Sequence, residues 1–550
     1  MIRPTIAALA LGLFASAALA QPNPAPGQPV NPTARAQSSR NAGDEPLSNT
    51  GPVVERRSAE RTERAGERKI SDFDIATAPV VEQARSSHHV LNLGGRPIGY
   101  TATAGTLTLR DDDGKPIASM FYVAYLADRA GGADRPVTFL YNGGPGSASL
   151  FLHMGSWGPV HVNTDSPNAT HGAPYNLTDN PNSLLDKSDL VFLDAIGAGY
   201  SRPLGDTKGT AFWGVDQDID AFARGIQRWV SINHRWNSPK FLFGESYGTT
   251  RSAGLVYALQ ERGLQFNGVL LLSSILNYGV RDAGFDHIYR TYLPSYAATA
   301  VYHHRIPQPA DLNTFLAEVR DWANGPYQVA LAKGSNISEA ELDATARKLS
   351  GYTGLSVDFL KRANLRVDLS RFRKELLRDQ RRTLGRYDSR FTGIDYDAAG
   401  ENPEYDPSDT GIHGAYVAAL HDHLERDLGY VSELNYWPSG PGINRAWDWK
   451  HKAPGSQFAS QVADTAQDLG LAMRENPHLM VYSLNGIYDM ATPFFGTEYD
   501  LAHMQLDPTL RNNVRFAYYP SGHMVYLNQD AMRQMKADVA RFYDEALARR

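Results

Sequence analysis

The chain has 550 residues, enough for a large core and more than one structural unit. Hydrophobic residues make up 42% and charged residues 21%, so most of it is expected to be globular, and a net charge of −6 argues against nucleic acid as the main partner. The absence of cysteine excludes disulfides, thiolate metal sites and a cysteine nucleophile.

Residues 1–20 have the layout of a secretory signal. Arg3 supplies the positive end, an apolar run from Ile6 to Leu19 follows, and Ala18-Leu19-Ala20 offers small residues for cleavage. The run is shorter than the ~20 residues a membrane-spanning helix needs, and no later segment is apolar enough to cross a bilayer. A retained anchor is the alternative reading. The expected location is outside the cytoplasm, periplasmic or secreted. Residues 21–70 read as a linker, because Pro22, Pro24, Pro26, Pro29 and Pro32 break regular structure and Glu55 to Arg68 is charge-rich without apolar periodicity.

From residue 88 to 276 the pattern is that of a folded core. Tyr100 to Leu109 and Ala118 to Leu126 predict a β-hairpin around Asp111-Asp112-Asp113-Gly114. Val137 to Tyr141, Asp189 to Asp194, Lys240 to Gly244 and Asn267 to Leu272 are short apolar runs suited to central strands. Helical spacing over Ala211 to Ser231 and Thr249 to Arg262 alternates with them, which predicts a mostly parallel sheet flanked by helices. Residues 277–454 interrupt this alternation with helical segments at Ile337 to Lys348, Val357 to Asn364 and Leu369 to Leu384, and read as a large, mainly helical cap insertion. The core resumes over 455–550, with a helix predicted from Ser456 to Glu475, strands at Leu479 to Leu484 and Val514 to Tyr519, and a last helix from Asp530 to Ala548.

Gly244-Glu245-Ser246-Tyr247-Gly248 fits G-x-S-x-G, a tight strand-to-helix turn that lifts a serine hydroxyl above a sheet. Phe241-Leu242-Phe243 before it is strand-like and Thr249 onward is helical, so Ser246 is the candidate nucleophile. A serine needs a base, and the base needs an acid to orient it. In the α/β-hydrolase order these follow as acid, then histidine, each just beyond a strand. Asp489 and His523 occupy those places, each with a nearby glycine (Gly486 and Gly522) that could turn the side chain inward. Glu498 and Asp500, the competing acids, fall in a predicted helix and are expected at the surface.

An oxyanion hole requires backbone N–H donors. Tyr247 should supply one, and the glycine loop Asn142-Gly143-Gly144-Pro145-Gly146 the other, through Gly144. His88-His89, His303-His304 and His421-Asp422-His423 are close-set, but none has a third ligand at a fixed spacing, so no metal or cofactor is expected.

Together these segments resemble the serine carboxypeptidase family of α/β-hydrolases. The resemblance rests on Asn142 to Ser147, Gly244 to Gly248, Asp489 with Thr492-Pro493, and Gly522-His523-Met524-Val525. Asn180 to Leu184, Val191 to Asp194 and Gly199-Tyr200-Ser201 add to it. It implies an α/β-hydrolase fold and peptide substrates with a free C-terminus, whose carboxylate would meet Asn142, the Gly143 N–H and Glu245. Glu245 can bind a carboxylate only when one of the pair is protonated, so affinity should fall as pH rises. Two positions depart from well-known eukaryotic members: Ser156 stands where they carry Glu, and Leu140 where they carry Trp. These members also use disulfides. The same machinery would serve an esterase or an acyltransferase, and a binding protein that kept the fold without catalysis is a further alternative.

Overall fold

The computed structural model describes residues 81–128 and 135–549. The expected signal (1–20) and linker (21–70) lie outside the described residues.

The main sheet is built from β1 (Ala84–Leu93), β2 (Arg96–Arg110), β3 (Pro116–Ala127), β4 (Val137–Tyr141), β5 (Asp189–Leu193), β6 (Lys240–Glu245), β7 (Gly268–Leu272), β8 (Met480–Gly486) and β9 (Val514–Tyr519). Its order is β1-β2-β3-β5-β4-β6-β7-β8-β9, and the two-residue strand Arg202–Pro203 pairs with β3 as a tenth member. The first three strands form an antiparallel meander and β3 meets β5 antiparallel. From β5 through β9 every pairing is parallel. Every residue of β4 to β8 is buried. This is the reason those strands read as continuous apolar runs in the sequence, since a parallel strand is covered on both faces. β1 escaped the sequence reading because most of Ala84–Leu93 is polar and partly or fully exposed on the sheet edge.

The longer helices are α1 (Val215–Ile232), α2 (Tyr247–Gln260), α3 (His287–Tyr302), α4 (Leu312–Trp322), α5 (Glu339–Thr353), α6 (His413–Asp422), α7 (Ala466–Glu475), α8 (Phe494–Ala502) and α9 (Gln529–Ala548). The strand order, with β5 inserted between β3 and β4 and helices between the parallel strands, is that of the α/β-hydrolase fold. Two expected helices are shorter than their apolar spacing suggested. α7 begins only at Ala466, because Asp464 Oδ1 accepts the Ala466 N–H and turns the preceding chain away. The helix from Leu369 stops at Glu375, and Thr383–Leu384 pairs instead with Thr392–Gly393 as a small ribbon.

Two apolar clusters organise these elements. The first holds the sheet, α1, α2, α7 and α9, and also takes Ile412, Tyr416, Leu420, Ile443 and Trp447 from the late part of 277–454. The second joins α3, α4, α5 and the chain to Leu384 with Ile487, Tyr488, Met490, Phe494 and Phe495. The segment that carries Asp489 is thus wedged into the second cluster while its strand belongs to the first.

The start of β5 is pinned by a buried ion pair. Arg235 Nη1 lies 2.6 Å from Asp189 Oδ2, with side chains 2% and 0% exposed. Asp189 Oδ1 accepts from Arg135 Nε at 2.7 Å and the Ala127 N–H at 3.1 Å. Removing one member of such a pair leaves a buried charge poorly matched. We expect Arg235→Met to lower stability by about 3 kcal/mol in urea titrations. Arg228→Met, which breaks a half-exposed pair with Glu82, should cost under about 1 kcal/mol.

Candidate active site

Ser246 sits between β6 and α2 with φ 61° and ψ −131°, a conformation that L-residues rarely adopt. Its N–H donates to Leu272 O at the end of β7 (3.0 Å), and its carbonyl accepts the Thr249 N–H (2.8 Å). The residues two before and two after it, Gly244 and Gly248, must be glycine because of close backbone approach. A Cβ on Gly244 would lie 2.1 Å from Gly248 O, and one on Gly248 would lie 2.8 Å from Tyr141 O. Ser246 itself is half-buried, so its hydroxyl side remains accessible.

The glycine loop after β4 packs on this turn. A Cβ on Gly143 would lie 2.4 Å from Tyr247 N and 2.6 Å from Gly248 N, so Gly143 sits against the first turn of α2 and its positive dipole end. Gly144 follows at φ 103°. Arg251, fully buried on α2, pairs with Asp218 of α1 (2.6 Å) and donates from Nη1 to Asn142 O (2.8 Å). With the Asn142 carbonyl turned to Arg251, the trans peptide points the Gly143 N–H the opposite way. Sequence reading missed Arg251, whose sign is a charged residue inside an otherwise uncharged helical stretch.

Asp489 and His523 meet. His523 Nδ1 lies 2.8 Å from Asp489 Oδ2, and both side chains are buried, at 3% and 0% exposure. A carboxylate can only accept, so Nδ1 carries the proton and Nε2 is left as an acceptor with no hydrogen-bond partner among the described residues. Asp489 Oδ1 accepts the N–H groups of Ala491 (2.7 Å) and Thr492 (3.0 Å), while Thr492 Oγ1 lies 2.8 Å from Oδ2. The His523 N–H donates to Tyr387 O (2.6 Å), and the Tyr387 ring stands 5.1 Å from the imidazole. Ser273 Oγ donates to His523 O (2.7 Å). The end of β7 therefore anchors both the Ser246 turn, through Leu272, and the His523 loop, through Ser273.

The two glycines near Asp489 and His523 act by contact rather than by turning the chain. A Cβ on Gly486 would lie 2.0 Å from Gly522 O, and one on Gly522 would lie 2.4 Å from Asp388 Cβ. The Asp489 and His523 loops thus lie back to back.

Glu245, immediately before Ser246, is 2% exposed. Burial pushes its carboxyl up from 4.5 to about 7, against the opposing effects of nearby His523 and of hydrogen bonds from Tyr526 and Asn142. The Tyr526 hydroxyl donates at 3.0 Å to Oε2. The Asn142 Oδ1 accepts the Leu152 N–H (2.9 Å), which fixes the amide so that its NH₂ end is the one free to meet Glu245. Asn142, Gly143, Glu245 and Tyr526 thus form one buried group beside Ser246. Tyr526 was not anticipated from sequence, although it follows His523 closely.

The remaining expected residues take structural places. Ser156 is fully buried and its hydroxyl donates to Leu152 O, while Leu140 is a core residue of β4. Asp500 corrects the sequence expectation: it is 1% exposed, pairs with Arg281, and accepts the Leu276 N–H at 3.0 Å. Surface placement failed because α8 packs against β8 and α3 rather than lying in solvent. Glu498 is half-buried and bonded to Arg320 and Tyr518. His423 binds Tyr125 and Asp427, and His303 binds Ser389 O. Among the described residues no group of His, Asp and Glu is arranged to hold a metal ion.

Comparison with known proteins gives three findings. Residues 96–285 match the profile of the serine carboxypeptidase family. A serine carboxypeptidase of Caenorhabditis elegans is 27% identical over 172 residues, 29% of this chain and 31% of the relative, so the chain spans about a third of that protein's length. Among solved structures, a prohormone-processing carboxypeptidase from Saccharomyces cerevisiae aligns over 81% of this chain and 91% of its own, at 14% identity and a TM-score of 0.47. A proline iminopeptidase of Mycobacterium smegmatis aligns over 80% and 99%, at 13% identity and a TM-score of 0.32. The resemblance to the serine carboxypeptidase family is thereby shown over the segment that contains the glycine loop and the Ser246 turn.

Two outcomes follow from the geometry. Gly486→Ala forces the two loops apart and should lower stability by about 2 kcal/mol in thermal or urea unfolding. Glu245, with its folded-state pKa raised, stabilises the fold below its unfolded value of 4.5, and that contribution is lost as pH rises through about 7. Between pH 4.5 and 8 the wild type should lose on the order of 3 kcal/mol relative to Glu245→Gln. Parallel pH profiles of the two proteins would contradict this.

Proposed function

We propose that this chain is a serine hydrolase that releases C-terminal residues from peptides. In this reading Ser246 Oγ attacks the last peptide carbonyl and His523 Nε2 takes its proton. Asp489 holds the opposite N–H in place. The N–H groups of Gly144 and Tyr247 receive the charge that develops on the carbonyl oxygen. His523 then returns the proton to the leaving amine, and water releases the acyl group by the same steps in reverse order.

The observation that carries the peptidase reading is Glu245. A buried carboxyl held near pH 7 beside a nucleophile is protonated in mildly acidic solution, where it can donate to a substrate carboxylate. Asn142 and the Gly143 N–H supply further donors to the same anion. Above the Glu245 pKa the two carboxylates repel, so binding weakens while the Ser246 chemistry persists.

An esterase or acyltransferase remains the second reading, and Ser156 favours it. Its hydroxyl is spent on a backbone carbonyl, so this position adds nothing to a carboxylate clamp. We also propose that residues 277–454 form the wall over the site, since they bring Tyr387 beside His523 and Tyr416 near Glu245. Residues 1–20 are proposed to direct export to the periplasm or the medium, with 21–70 as a linker. Among the described residues no helix is long and apolar enough to cross a membrane.

The test is a mass-spectrometric time course on a peptide and its C-terminally amidated twin at pH 4.5 and 7.5. The expected result is a ladder of single-residue losses from the free acid alone, absent in Ser246→Ala, with KM rising at least fivefold across that pH interval. Equal cleavage of both peptides, or a KM independent of pH, would exclude the role given to Glu245. Cleavage of a simple ester with both peptides intact would replace the peptidase reading with the second one.

A further inference from the structure

A cavity of about 790 Å³ lies between the first turn of α3, the chain around Asn324 to Ala332, and α8. None of Ser246, Asp489, His523 or Glu245 lines it. Its walls are partly apolar, with Phe285, Leu331 and Phe495; His287, Arg290 and Asn324 form one polar side, and Asp286, Gln328 and Glu498 also line it. The volume lies in the range of small-molecule sites.

The acceptors that Arg290 meets, His287 Nδ1 and Asn324 Oδ1, are neutral. Arg290 is 9% exposed and has no carboxylate partner among the described residues. Its Nη2 donates to His287 Nδ1 at 2.7 Å, its Nη1 donates to Asn324 Oδ1, and its guanidinium lies 5.3 Å from the Tyr499 ring centroid. Arginine can only donate, so His287 Nδ1 must accept and the ring proton sits on Nε2. That Nε2–H is buried and has no hydrogen-bond partner among the described residues, in a residue only 8% exposed. Asn324, with its oxygen engaged by Arg290, presents its NH₂ end as another donor.

The carboxylates at the cavity do not neutralise Arg290. Asp286 is held by Arg366 through two contacts of 2.6 and 2.7 Å. Glu498 is bonded to Arg320 at 2.9 Å and to the Tyr518 hydroxyl at 2.8 Å. Asp500, one residue beyond Tyr499, is committed to Arg281. The positive end of α3 adds to the same sign of charge, because His287 and Arg290 stand in its first turn. His503, which also lines the cavity, donates from Nδ1 to Tyr499 O and cannot serve as an anionic partner. An unpaired buried cation beside an unpaired buried donor is costly unless an anion completes it.

We propose that this cavity is a binding site for a small organic anion, with the carboxylate or phosphate head on Arg290, His287 and Asn324 and an apolar body against Phe285, Leu331 and Phe495. Burial, with Arg290, Arg281 and His503 nearby, pushes His287 down to about 2, so it remains a neutral donor to that head group at working pH.

The test is titration calorimetry on the full chain with 4-phenylbutyrate, phenyl phosphate and the neutral 4-phenylbutyramide. One equivalent of at least one anion should bind with a Kd of roughly 1 mM or tighter, at least tenfold better than the amide. Glu245→Gln should leave this binding unchanged, and Arg290→Gln should weaken it at least tenfold. Ala332→Asp, which places a negative charge at an exposed position of the lining without disturbing the core, should weaken it several-fold at low salt and keeps the test decisive if Arg290→Gln folds poorly. The proposal is overturned if neither anion binds, if the amide binds as well, if Glu245→Gln abolishes binding, or if Ala332→Asp binds like the wild type.

Discussion

A serine held at φ 61° and ψ −131° is the constraint that the rest of the site serves. Such a backbone costs of order 1–3 kcal/mol and persists only where its surroundings overdetermine it. Here β6 and α2 fix the two sides, and two glycines allow the strand and helix backbones to close on each other. Leu272 O takes the Ser246 N–H. The next residue, Ser273, also adopts a positive φ of 53° and holds the His523 carbonyl. The end of β7 thus fixes two loops that are far apart in sequence, and parallel pairing to β8 and β9 brings Asp489 and His523 to the same edge of the sheet.

Two buried carboxyl groups share this edge, and their surroundings set them apart. Asp489 faces four donors: two backbone N–H groups, the Thr492 hydroxyl and His523 Nδ1–H. Glu245 meets Tyr526 and Asn142 in an enclosed place, and burial pushes its carboxyl up to about 7. Burial is the main cause of that rise and the nearby Asp489 pushes the same way, so Glu245 holds its proton in mildly acidic solution. This division underlies both the pH-dependent stability and the proposed reading of a substrate carboxylate.

Much of this was legible in the sequence. The central strands could be read because burial on both faces turns them into apolar runs, and the Ser246 and Asp489 positions because each follows such a run; His523 follows the partly exposed edge strand β9, which its Val, Phe and Tyr residues still mark as a strand. β1 was hidden because an edge strand such as Ala84–Leu93 has one wet face and polar residues on it. Asp500 misled because a buried acid on an amphipathic helix has the same local pattern as an exposed one, and its partner Arg281 is distant in sequence. Arg251 and Tyr526 belong to the same class, since their roles come from contacts that strand packing creates. The glycines Gly486 and Gly522 were noticed correctly but for a local reason, whereas their need arises from two loops meeting back to back.

The central claim is that Ser246 is an activated nucleophile whose base is His523. Intact-protein mass spectrometry after exposure to a fluorophosphonate probe tests it most directly. The account predicts one adduct per chain, mapped by peptide digestion to Ser246, abolished in Ser246→Ala and slowed at least a hundredfold in His523→Ala. Labelling at another residue, or labelling of Ser246 that is indifferent to His523, would contradict it.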